Sequence, residues 1–424
     1  MNLSIRRTSF VSSLLLALGA SAWLSAQQVP AAALGPSPTP IPQAHLALTH
    51  ANVVDVREGR VAADVTVVVR DGRIVSVGQA SVPAGATVLD LRGRWLMPGL
   101  VDVHTHLDTM DAARRALMSG VTTVRSASVD YFQDVGLREM VKAGYLAGPD
   151  VLAAGLYVTR DDPSWLADPR MILLWPKIDT ADRLRRMVQI NKDRGVDVIK
   201  TRGTERAGRP DTDPREQVYS EADLRAVVDE AARFGLDVLC HTHGTEGSEA
   251  AIRAGVRSIE HGTYLTPAQL RTMKAKGIFW VPTYSTLIDL VEPGGDYDDP
   301  VVHVRGRFMI PVLKAAFKEA LAIGVKIATG ADSSYGRDSV TRIGQEATNF
   351  VELGMTPLQA VQAATSTGAE LLRLDTKIGA VAPGFEADLI AVEANPLVDI
   401  RALQDPLLVI SNGRLALNRL QFGR

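Results

Sequence analysis

The chain has 424 residues, a formal net charge of -2 and a hydrophobic share of 46%. That balance describes a globular protein and excludes both the basic surplus that draws nucleic acid and the acidic excess of a solvating tail. The length exceeds one ordinary domain and suits a large α/β unit with a smaller companion.

Arg6 and Arg7 precede an apolar run from Phe10 to Trp23, with small residues at Ala20, Ala22 and Ala26. This is the pattern of an export signal, and the run is too short to span a bilayer. Cleavage fits after Ala22 or after Ala26; the Ala26 end is favoured and gives a signal over 1–26. The expected location is then periplasmic or secreted, with no membrane contact after cleavage. The residues after Arg6-Arg7 match a twin-arginine signal weakly. A Pro/Ala/Ser linker follows over 27–44. Cys240 is the one cysteine, which excludes an intramolecular disulfide and a thiolate metal cluster. Any metal must rest on His, Asp, Glu or a modified Lys.

Residues 45–97 are β-rich, with Val65 to Arg70 and Arg73 to Val77 predicted as a hairpin around Asp71-Gly72. Residues 98–379 alternate strand-like and helix-like stretches. The strand-like runs are Gly99–His106, Val121–Ser128, Asp150–Thr159, Val196–Gly203, Asp237–Gly244, Ser258–Tyr264, Ile278–Ser285 and Lys326–Ser334. Eight such runs predict an α/β fold of the (β/α)8 TIM-like barrel type, whose site lies at the C-terminal strand ends. The stretch Ser220 to Phe234 carries helix start and stop signals, closed by Gly235. Residues 380–424 return to β character, with Asn412-Gly413 as a turn. The two β-rich ends are expected to meet in one composite β-sandwich, with the barrel inserted between them.

Five of the eight histidines, His104, His106, His241, His243 and His261, fall at the C-terminal ends of three of these runs. Strand side chains alternate, so His104 and His106 share a face and are placed to chelate one cation. Asp332 ends the eighth run, beside the first after closure, and is expected to complete that site and take a proton from bound water. Its competing reading is a helix N-cap. Lys200 ends the apolar run Val196 to Lys200 at the barrel mouth, where a free ammonium beside cations would be repelled. Carboxylation to a carbamate supplies two oxygens that bridge two metals; snorkelling to solvent or an anion contact is the alternative. His241 and His261 offer neutral nitrogens to a second metal. His243 reads as a substrate-polarising group, with an exchange of roles with His241 left open.

The run Met97-Pro98-Gly99-Leu100-Val101-Asp102-Val103-His104-Thr105-His106 resembles the strand-one signature of the amidohydrolase superfamily, and the chain resembles its imidazolonepropionase-like branch. Further matches are the Ile199-Lys200 end of the fourth run, His241-Thr242-His243-Gly244-Thr245, Ser258-Ile259-Glu260-His261-Gly262-Thr263 and Thr329-Gly330-Ala331-Asp332. The flanks Asp71 to Gly78 and Val381 to Ile390 resemble the family too. Members with a lysine in the fourth strand are similar to Xaa-Pro dipeptidases and ochratoxin-hydrolysing amidases. The resemblance implies two divalent ions, usually zinc, and N6-carboxylysine at Lys200. It implies the ligands His104, His106, Lys200, His241, His261 and Asp332, with a metal-bridging hydroxide as nucleophile. The stretch Tyr157 to Trp165 departs from relatives that carry a glycine- and histidine-containing loop there, which bears on substrate choice.

The expected activity is hydrolysis of an amide or peptide C–N bond in a small molecule such as a dipeptide or N-acyl amino acid. Hydrolysis of a lactone, carbamate or phosphotriester is the alternative, and a non-catalytic periplasmic binding protein the remote one. Asp332 and His243 are the candidate catalytic residues, and Arg202 and Tyr264 join His243 as candidate substrate contacts. Arg202 is the candidate partner of a substrate carboxylate, with an exposed loop arginine as the alternative. Tyr157 is a further aromatic at a strand end. Charge leaves no nucleic-acid partner and leaves a homo-oligomer open.

Overall fold

A computed structural model of the protein describes residues 40–160, 168–174, 179–295, 297–339 and 341–421. The expected export signal and most of the expected linker lie outside the described residues. No helix among the described residues is long and apolar enough to cross a membrane.

Turn chemistry sets the hairpins near both ends of the chain. Strand β1 (Leu46–Asp55) is followed by β2 (Arg60–Arg70) and β3 (Arg73–Gly78), which pair antiparallel around Asp71 and Gly72. Those two residues have φ of 50° and 74°, the left-handed pair that a two-residue hairpin turn demands. Strands β4 (Thr87–Asp90) and β5 (Trp95–Pro98) complete the first block. They share one edge of β1, β4 opposite Leu46 to Thr49 and β5 opposite Asn52 and Val53.

From β5 the chain passes through Gly99 into β6 (Leu100–Thr105), the first of the parallel strands. A Cβ at Gly99 would strike Thr122, so glycine is what lets the chain enter there. Strands β7 (Val121–Ser126) and β8 (Asp150–Leu152) join β6 in a three-stranded parallel sheet. Strands β9 (Val198–Arg202), β10 (Asp237–Thr242), β11 (Ser258–His261) and β12 (Phe279–Val281) form a four-stranded parallel sheet. Helices cover these strands with apolar faces, as in Glu221–Ala232, which Ser220 and Asp223 open with a capping box and which buries Leu224 and Val227. Each such aliphatic side chain removed from water contributes about 1.5–3 kcal/mol.

Seven of the eight strand-like runs are strands. The eighth, Lys326–Ser334, is corrected: it makes isolated parallel bridges from Ile327 to Trp280 and from Ser333 to Thr105. Its backbone is nevertheless bonded on both sides, Ala328 N to Trp280 O at 3.0 Å and Val103 N to Thr329 O at 3.1 Å. Extended geometry fails where Asp332 turns left-handed, with φ of 49°. A third bridge, Val158 to Thr201, links the segment after β8 to β9.

The C-terminal strands β13 (Leu389–Val392), β14 (Leu408–Ser411) and β15 (Arg414–Asn418) return to the first block. Strand β13 pairs antiparallel with β5, Leu389 opposite Pro98, and the sheet runs β15-β14-β13-β5-β1-β2-β3 with β4 beside β1. Both ends of the chain therefore build one eight-stranded mixed sheet. They also share one core, in which Leu46, Leu48, Val67 and Leu96 pack with Leu389 and Leu408.

Candidate metal centre

The polar residues at the strand ends converge. His104 on β6, Lys200 on β9, His241 on β10 and His261 on β11 line a cavity of about 450 Å³ together with His106, His243 and Asp332. The ring centroids of His241 and His261 are 4.5 Å apart, and those of His104 and His261 5.1 Å.

One imidazole nitrogen after another is held by the protein so that its partner nitrogen is left for the cavity. His106 Nδ1 lies 2.7 Å from the Ser128 carbonyl, and its Nε2 lies 3.2 Å from Asp332 Oδ1. His104 Nδ1 lies 2.6 Å from Glu260 Oε2, and its Nε2 lies 3.3 Å from both Asp332 Oδ1 and Lys200 Nζ. His261 Nδ1 is 2.7 Å from Thr283 Oγ1, and His243 Nδ1 is 2.9 Å from Thr263 Oγ1. His241 is the exception, with Nε2 on the Glu205 carbonyl at 3.1 Å, which leaves its Nδ1. Two donor groups result, His104 with His261 and Asp332, and His241 with His243 and His261, each with ligating atoms within 4.8 Å of one another.

The electrostatics suit a divalent cation. Burial, followed by the neighbouring His261 and His243, pushes the His241 pKa well below its ordinary value, and burial does the same to His261. Burial also lowers His243 to about 3. These imidazoles are therefore neutral donors at physiological pH. Burial opposes the charge of Asp332, yet His104, His106 and His261 hold its carboxyl well below the usual range. The neutral imidazoles of His241, His243 and His261 beside an ionised carboxylate are the donor chemistry of a divalent-metal site. Both His261 and Asp332 reach it from left-handed backbone, φ 67° and 49°. Such strain collects at functional sites.

Behind the cavity stands a residue set that the motifs alone did not single out. Glu260 is fully buried and takes the His104 ring, the Arg125 guanidinium at 2.9 Å and the Ser258 hydroxyl. Burial works against its charge, but Arg125 and His104 outweigh it and bring the carboxyl to about 2. The signal available in the sequence is an acid inside the strand-like run Ser258 to Tyr264, one residue before a histidine. Asp102 plays a matching part. It accepts from the Tyr335 hydroxyl at 2.7 Å and from the backbone N–H of His104 and Ala331, fixing β6 to the Asp332 segment.

Glu260→Gln tests this support. The amide keeps the shape but offers His104 a weaker acceptor and leaves Arg125 without its charge partner. Divalent-ion affinity, measured by competition with a chelator, is expected to fall about 10- to 100-fold, as for other outer-sphere partners of a ligand histidine. Unchanged affinity would remove Glu260 from the site.

Two expected substrate contacts lie elsewhere. Arg202 is fully buried and its guanidinium meets Glu205 Oε2 at 3.1 Å, so it is taken up by the loop after β9 and does not line the cavity. Tyr264 is half-buried, packs on the core and is also absent from the wall. Tyr157, Arg206 and Arg209 are in the wall instead.

The profile of the Amidohydrolase family matches residues 95–416. Ochratoxinase from Aspergillus niger is 33% identical over 247 residues, which cover 58% of this chain and 50% of that protein. The chain thus matches about half the length of this curated relative. The crystal structure of a Xaa-Pro dipeptidase with bound methionine in the active site superposes with a TM-score of 0.78 at 27% identity, covering 88% of this chain and 99% of that one. A putative prolidase from Bifidobacterium longum gives a TM-score of 0.78 at 30% identity, over 89% of this chain and 95% of that one. With three-quarters of its length inside the family profile and the histidines, lysine and aspartate of the site within that stretch, the chain belongs to the amidohydrolase family.

Proposed function

We propose that the protein is a binuclear metal-dependent hydrolase that cleaves the C–N bond of a dipeptide or N-acyl amino acid. The observation that carries this reading is the convergence of neutral imidazoles, a buried lysine and an ionised aspartate on one cavity. The relatives favour the same bond, since one is a Xaa-Pro dipeptidase that holds an amino acid in its active site. The two parallel sheets read as arcs of one (β/α)8 barrel carrying a β-sandwich, a reading supported by the three linking bridges.

His104, His106 and Asp332 would hold one ion, His241 and His261 the other, and Lys200, N6-carboxylated, would serve both. Bound there, divalent ions supply Lewis acidity and lower the pKa of water from about 16 toward about 7. Asp332 receives the proton of the attacking water and delivers it to the leaving nitrogen, which departs poorly as an anion. His243 is neutral, and in the tautomer whose Nδ1 accepts from the Thr263 hydroxyl its Nε2–H would be the donor for the scissile carbonyl oxygen.

A hydrolysis screen of zinc-loaded protein tests the reading. The substrates are Xaa-Pro and other dipeptides, N-acyl amino acids, lactones and phosphotriesters. Amide cleavage is expected, abolished by a chelator and restored by a divalent ion. Turnover of lactones or phosphotriesters without any amide cleavage would sink the proposal.

A further inference from the structure

The cavity wall holds a cation that the proposed chemistry does not use. The Arg206 guanidinium carbon lies 5.1 Å from the centroid of the Tyr157 ring, and Lys200 Nζ lies 5.6 Å from the same centroid. One aromatic ring is therefore shared by Lys200 and a second positive group, and all three residues line the cavity. No carboxylate among the described residues pairs with Arg206. Its neighbour Glu205 is already engaged, by Arg202 at 3.1 Å and Arg160 at 3.4 Å. Arg209, in the same wall, is drawn to Asp211 at 3.6 Å, and Asp130, also in the wall, is exposed.

Tyr157 adds a second observation. It is only 8% exposed, and its hydroxyl has no hydrogen-bond partner among the described residues. An orphaned buried hydroxyl is costly, and a ligand acceptor would satisfy it. Burial pushes the phenol pKa up, so the group remains a donor. A guanidinium beside an aromatic ring, together with that ring's own phenol donor, is suited to a planar anion with two oxygens.

We propose that Arg206 and Tyr157 form a carboxylate subsite in this cavity and select substrates that carry a free carboxylate beside the scissile bond. The inference rests on the hydrolase reading above and takes the role that the sequence assigned to Arg202. Arg206 is partly exposed on the loop after β9, so its replacement is tolerable for the fold, and melting curves of each variant check that.

The test compares N-acetyl-L-leucine with N-acetyl-L-leucinamide as substrates of the zinc-loaded enzyme. It also follows the binding of L-leucine and L-leucinamide by calorimetry. The wild type is expected to prefer the acid in kcat/KM. Arg206→Ala is expected to cut the acid-to-amide ratio about 10- to 100-fold, chiefly through KM, because charge-assisted hydrogen bonds carry that much. Arg206→Lys is expected to restore part of it, keeping the charge without the fork, and Tyr157→Phe to lower it several-fold. L-leucine binding is expected to weaken in parallel. An acid-to-amide ratio equal in wild type and Arg206→Ala overturns the subsite while leaving amide hydrolysis intact. Arg206-dependent binding of L-leucine by a protein that cleaves no amide in the wider screen supports the subsite and overturns the hydrolase reading instead.

Discussion

Lys200→Ala is expected to lose the second of two bound ions and nearly all hydrolytic activity. Lys200 is 2% exposed, on a strand whose other residues are buried, and its Nζ lies 3.3 Å from His104 Nε2. Burial lowers its pKa to about 8, so a substantial fraction of the amine is neutral near physiological pH. A neutral amine can add CO2 and release a proton, which turns a repelled cation into an anion with two ligand oxygens. Alanine would offer neither oxygen, and the two proposed ions would lose their shared anionic ligand. The loss should exceed the ~10- to 100-fold that follows removal of an outer-sphere partner. Elemental analysis of purified variant and wild type, with kcat on the same samples, is the measurement. Acetate or propionate, admitted to the space the side chain vacates, is expected to restore part of the activity in a concentration-dependent way. Two ions and full activity in Lys200→Ala would end the bridging role.

Much of this site is written in local sequence. A histidine or aspartate at the end of an apolar run is costly to bury without a purpose, and the strand periodicity puts His104 and His106 on one side. The hairpin at Asp71-Gly72 and the helix opened by Ser220 are equally local, because the residues that make them are adjacent in the chain. What escaped depends on the path of the chain through space. Arg202 shares the strand β9 with Lys200, yet the following turn brings Glu205 back onto it. Glu260 precedes His261, and simple alternation would send the two to opposite sides. The left-handed backbone at His261 breaks that alternation, so the Glu260 carboxylate and the His261 ring both come against His104. The eighth strand failed for a related reason, since the left-handed Asp332 aims its side chain at the histidines at the expense of regular pairing.

That aim underlies the second large effect, expected for Asp332→Asn. Asp332 Oδ1 lies 3.3 Å from His104 Nε2 and 3.2 Å from His106 Nε2, and its Oδ2 lies 3.8 Å from His261 Nδ1. Asparagine keeps the size and one carbonyl oxygen for an ion, but cannot take up a proton at neutral pH. Loss of general acid/base help costs about 10²- to 10⁴-fold in rate, so kcat should collapse while most of the metal stays. The two candidate jobs of the side chain, holding an ion and moving a proton, then separate in one preparation. The leaving group sharpens the test. An aliphatic amine must be protonated as it departs, whereas a p-nitrophenolate need not be. The deficit should therefore be larger on an N-acyl amino acid than on the corresponding p-nitrophenyl ester. Equal deficits on both would confine Asp332 to activating the attacking water. Near wild-type kcat with metal retained would remove it from the chemistry and return it to capping the backbone that follows.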